Sequence, residues 1–112
     1  MTPRTNSDQL HGTLDLLVLR TLRAGALHGY AITQRLKLLS ADVLQVEEGS
    51  LYPALYRMEQ KGWISSEWAT TDLNRRARFY SLTRTGRAQV EAETGSWERL
   101  SGAVNSVIAQ TR

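Results

Sequence analysis

The sequence predicts a mainly α fold with a small β-hairpin and a long C-terminal helix, and three patterns predict it. Apolar residues recur at helical spacing through three segments punctuated by Gly25 and Gly62. WISSEW and RARFYSL alternate as two antiparallel strands joined by a polar, arginine-bearing stretch. Beyond Thr83 the pattern turns helical again to the end of the chain. Three helices, a hairpin and a further helix, in that order, form a winged helix-turn-helix. We divide the chain into a flexible N-terminal arm (1–6), the winged helix-turn-helix (7–83) and a C-terminal dimerisation helix (84–112).

Composition narrows the function classes. The 112 residues offer room for one domain plus an element whose apolar face needs a partner chain. With no cysteine there is neither a disulfide nor a thiolate metal site, and two histidines, His11 and His28, make a poor zinc site. The longest apolar run, Leu16 to Leu19, is far too short to span a bilayer, and no signal-peptide core precedes it, so a cytoplasmic protein without a membrane partner is expected. No paired carboxylates with an evident base and no phosphate-binding glycine loop are present, so neither an enzyme nor a cofactor is expected.

The first helix is expected from Ser7 to Ala24, with Gly25 as its stop. Leu10, Leu14, Leu17, Val18 and Leu22 form one stripe, and Leu16 and Leu19 add apolar surface on other sides, which implies packing both within the domain and against another chain. The second helix starts near Gly29, with Ile32, Leu36 and Leu39 on its inner face. Its start, with the Tyr30 hydroxyl and free backbone N–H groups, suits a phosphate, and His28 there fits a structural cap better than a switch.

The third helix, SLYPALYRMEQKG, is expected to begin with Ser50 as its cap, with Pro53 tolerated in the first turn. Leu51, Ala54, Leu55 and Met58 share the packing face; Tyr52, Pro53, Tyr56, Arg57 and Gln60 line the other, which can read a DNA groove. Tyr52 and Tyr56 also fit core aromatics, and Glu47 and Glu48 fit structural roles, either pairing with nearby arginines such as Arg57 or capping the helix. In the hairpin, Ile64, Trp68, Tyr80 and Leu82 are expected to cover the core.

Net charge is +3 overall, and residues 69–86 alone carry +3. Arg75, Arg76, Arg78 and Arg84 stand there against one acid, Asp72, as suits a wing that meets phosphates or a minor groove; a solvated hairpin tip is the plainer alternative. In the last helix, Val90, Trp97 and Val104 recur every seven residues, with Leu100, Val107 and Ile108 in neighbouring positions. Together with Leu16 and Leu19 they are assigned to a homodimer interface. Gly95 and Gly102 lower helix propensity, so this helix depends on packing.

GTLDLLVLRTL, LHGYAI, EEGSLYPALYRMEQKGWI, RRARFYSLT and the trailing TGR resemble the PadR family of bacterial transcriptional regulators, over about Leu10 to Leu100. The chain looks like the short subfamily with a single C-terminal helix. The resemblance implies a dimeric winged-helix repressor of an inverted-repeat (palindromic) operator in double-stranded DNA. On matching positions it places Ser50, Tyr52, Pro53 and Arg57 on the recognition helix, Tyr30 at the backbone-contacting helix start, and Arg75, Arg76 and Arg78 on the wing. It also implies an aromatic pocket at the dimer interface, lined by Trp97, that stacks a planar aromatic small-molecule effector; as a heptad residue, Trp97 equally fits plain packing. Two departures stand out: Met58 replaces the usual Leu, and Ala77 replaces a frequent basic residue. A winged helix that binds a protein instead of DNA is the alternative.

Overall fold

Residues 13–112 are described by a computed structural model, so the proposed arm 1–6, Leu10 and His11 lie outside the described residues. Helix α1 (Leu14–Thr21) buries Leu14, Val18 and Leu19, then tightens into a single 3-10 turn (Leu22–Ala24) that stops at Gly25, where φ is +150°. Strand β1 (Leu27–His28) leads into helix α2 (Gly29–Leu39), whose Ile32 and Leu36 are buried. His28 is a cap: its Nδ1 accepts a 3.3 Å hydrogen bond from the Ala31 N–H.

Helix α2 ends by turning its chain through the left-handed region at Ala41 and Asp42. The Asp42 N–H donates back to the Lys37 carbonyl at 2.8 Å, and the Ser40 hydroxyl donates to Leu36 while accepting from the Leu44 N–H. These bonds satisfy carbonyls that the helix end would otherwise leave open. Leu39, expected inside, is 69% exposed, because the helix has reached the edge of the core by that turn.

Helix α3 (Glu48–Gln60) buries Leu51, Ala54, Leu55 and Met58, the four residues that share a face in the sequence. Its start differs from expectation. Glu47 is the cap residue, without a side-chain capping bond, and Ser50 is already helical, its N–H donating to the Glu47 carbonyl. Pro53 therefore falls in the second turn, and the carbonyl of Gly49 loses its usual donor; that residue is exposed, so water can serve instead. Gly62, at φ +77°, closes the helix and lets the Trp63 N–H reach back to Met58.

Strands β2 (Ile64–Thr70) and β3 (Arg76–Leu82) pair antiparallel, with Ile64 opposite Leu82, Ser66 opposite Tyr80 and Trp68 opposite Arg78. β1 adds a third strand on the other side of β3, through Leu27–Tyr80 and His28–Phe79. Trp68 is not a core residue: its face of the hairpin covers the core only at Ile64, Tyr80 and Leu82, and at Trp68 it has run past it.

Helix α4 (Arg84–Gln110) is capped by Thr83, whose hydroxyl accepts from the Gly86 N–H and donates to the Gly62 carbonyl. Gly86 has no room for a side chain, since a Cβ would lie 1.8 Å from the Trp63 carbonyl oxygen. Val90 is fully buried in the core. Leu19 and Val90, assigned to the dimer interface from the sequence, thus leave no surface for a partner. These two positions are buried where α1 and α4 pack within one chain, while Trp97 and Val104, farther along the stripe of Val90, stay exposed.

Candidate nucleic-acid interface

Tyr30 at the start of α2, Tyr52 on α3, and Arg76 and Arg78 of the hairpin line one groove, and Ser50, Pro53 and Tyr56 of α3 and Arg75 of the hairpin are exposed as well. The placement follows from local chemistry. With Leu51, Ala54, Leu55 and Met58 committed to the core, the intervening positions of α3 must face outward. The Tyr52 ring lies over Gly29, where a Cβ would come within 2.5 Å of the phenolic oxygen, so the α2 start and α3 meet at glycine.

Arg57 is also exposed but turned aside: its guanidinium pairs with the Asp15 carboxylate on α1, not with Glu47 or Glu48. It ties α3 to α1 and lies at the flank of the outer face.

The hairpin tip is a closed turn. The Thr71 N–H donates to the Arg75 carbonyl at 2.7 Å, the Asn74 N–H to Thr71 at 2.9 Å, and Asn74 takes φ +59°. A further bond runs from the Arg75 N–H to the Thr71 hydroxyl. Arg75 thus projects from a defined tip. Arg76 and Arg78 project from the strand face that carries Trp68, their guanidinium carbons 5.9 and 5.8 Å from the indole centroid.

Arg78 is held further. Its Nε donates to the Ser66 hydroxyl at 2.7 Å, which donates to a Glu59 carboxylate oxygen at 2.7 Å, and Arg78 lies 3.8 Å from that same carboxylate. This chain links the C-terminal turn of α3 to both strands and fixes the hairpin against the helix. Burial raises the Tyr80 phenol above its ordinary pKa, opposed by nearby Arg78, so it stays a neutral hydroxyl. Between α2, α3 and the hairpin a groove of about 400 Å³ opens, with Tyr30, Tyr52, Trp68 and the two arginines among its walls.

The sequence reading missed Trp68 and the Glu59–Ser66–Arg78 chain. The period-two alternation did place Trp68, Ser66 and Arg78 on one face; their partnership depended on the strand register.

A second surface lies along α4. Trp97, Leu100, Val104, Val107 and Ile108 are between 45% and 62% exposed. Trp97 to Val107 follow a three-four spacing, which sets them along one side of the helix. Leu16, on α1, is half-buried. Among the described residues no helix is long and apolar enough to cross a membrane.

Residues 18–92 match the profile of the transcriptional regulator PadR-like family. A curated relative, a transcriptional regulator of Mycobacterium tuberculosis, is 36% identical over 77 residues, which cover 69% of this chain and 68% of that protein. Among solved structures, a transcriptional regulator from Clostridium thermocellum superposes with a TM-score of 0.79 at 25% identity, covering 88% of this chain and 96% of that one. A PadR-like transcriptional regulator from Bacillus cereus gives 0.77 at 28% identity, covering 89% and 95%. The matched stretch takes in the helix-turn-helix, the hairpin and the anchored start of α4, and on this evidence the chain belongs to the PadR-like family of transcriptional regulators.

Proposed function

We propose that this chain is a DNA-binding repressor that acts as a homodimer on an inverted repeat. The observation that carries the proposal is the groove shared by α2, α3 and the arginine-bearing hairpin, with the hairpin tied to α3 through Glu59, Ser66 and Arg78. Tyr52, Pro53 and Tyr56, with Ser50 at the start, would enter the major groove. Tyr30 would meet the backbone, and Arg75, Arg76 and Arg78 would serve the wing, with Arg78 also holding the hairpin in place. Arg57 would steady α3 through Asp15.

The second copy would cover the α4 stripe, with Trp97, Leu100, Val104, Val107, Ile108 and the flank of Leu16 buried between protomers. Two reading surfaces would then stand about 34 Å apart, one helical turn. Selection of bound fragments from a random duplex library tests the proposal: recovery of an inverted repeat with that half-site spacing is expected, and no enrichment over input would refute it.

Trp97 offers an aromatic face in the same interface, and a planar aromatic effector stacked there would release DNA by favouring another dimer geometry. A planar cation titrated against tryptophan emission should quench wild type more than Trp97→Ala; equal quenching would remove the effector role.

A further inference from the structure

We infer that the groove between α3 and the hairpin seats the DNA strand that separates the major from the minor groove, with Trp68 as its floor. The inference deepens the DNA-binding reading above and rests on it. If α3 occupies a major groove and the hairpin tip the adjoining minor groove, the sugar-phosphate backbone dividing the two must cross the gap between these elements. That gap is the groove of about 400 Å³ lined by Tyr30, Tyr52, Trp68, Arg76 and Arg78.

Its chemistry suits a backbone strand. Two guanidinium groups stand within 6 Å of the Trp68 ring, positioned to meet phosphate oxygens. Tyr30, at the start of α2, and Tyr52, on α3, line the same groove. The indole is 57% exposed although it lies on the strand face that covers the core elsewhere, so a large apolar surface lies open among cations. Deoxyribose has an apolar face that such a ring can cover. Trp68 thereby performs two tasks: it contacts sugar, and its π face holds Arg76 and Arg78 beside the strand. Glu59 offsets part of the Arg78 charge from the α3 side, at 3.8 Å and through Ser66.

Full-length protein labelled with 5-fluorotryptophan tests the inference, using a mixed-sequence duplex of about three helical turns, since a backbone seat needs no particular bases. Trp68→Phe assigns the Trp68 fluorine resonance. On titration that resonance should shift, and Trp68→Ala should bind the duplex about fivefold more weakly at fixed salt, while Trp68→Phe, which keeps an apolar ring, should lose less. Thermal melting of the Ala variant checks that it folds. Should the variant unfold, the resonance shift in the wild type decides alone. A Trp68 resonance unmoved at saturation would overturn the inference and leave DNA binding intact. Failure of the wild type to bind the duplex even at low salt would overturn the DNA-binding reading together with this one.

Discussion

The surface built by α3 and the hairpin and the distal half of α4 are both exposed, yet they are opposite in kind. The first presents tyrosines and guanidinium groups that water solvates well, three of them held by a neighbour: Tyr52 over Gly29, Arg57 on Asp15, Arg78 on Ser66 and Glu59. The second presents Trp97, Leu100, Val104, Val107 and Ile108, each about half exposed, along one helix. A polar surface is stable while unoccupied; an apolar stripe is stabilised only when something covers it. The proposed function of the first surface therefore depends on geometry maintained inside the monomer, whereas that of the second depends on the proposed partner copy. Helix α4 spans the divide, locked to the domain at Gly86 and Val90 and with its large apolar side chains about half exposed beyond Ser96.

Substitutions on either side should separate the two. The largest effect is expected from Leu100→Asp combined with Val104→Asp, which places charge on the stripe without touching the domain core. Loss of the dimer should cost about a thousandfold in affinity for a two-site duplex, read by fluorescence anisotropy, with the melting of the domain core retained.

Next comes Gly86→Ala, which drives a methyl group into the Trp63 carbonyl and should destabilise the domain by about 3 kcal/mol in chemical denaturation. It would damage the anchor that joins the two regions.

On the reading surface, Arg75→Ala with Arg76→Ala should lower the slope of log affinity against log salt by about 2, while leaving the dimer intact in sedimentation. The smallest change is expected for Arg57→Ala. Its partly exposed pair with Asp15 should contribute about 0.5 kcal/mol to stability, and the salt slope should stay unchanged, since its charge is already engaged. A slope that fell by about 1 would instead make Arg57 a phosphate contact.

The difference between the regions also explains what could be read in advance. Helical spacing identified Leu51, Ala54, Leu55 and Met58 correctly, because these positions lie mid-helix and the core spans all of them. It failed at Leu39, and strand alternation failed at Trp68, where the element outruns the core: periodicity names a face but not where that face leaves its neighbours. Leu19 and Val90 went wrong for a related reason. An apolar stripe looks the same whether its cover comes from the same chain or another, and only the packing of α1 on α4 decides. The two-residue strand β1 is too short to show any period. The start of α3 was misplaced because Ser50 has capping chemistry, while the extended backbone that defines the cap is at Glu47, where ψ is 150°. At the candidate site, residue types announced the arginines, but the Glu59–Ser66–Arg78 chain joins residues that only the folded register brings together.

Sedimentation velocity of the full chain at micromolar concentration, alone and with a duplex carrying the selected inverted repeat, tests the paired reading surface most directly. A dimer is expected in the absence of DNA and two protomers per duplex in its presence. A stable monomer that remains monomeric on the duplex would contradict that pairing.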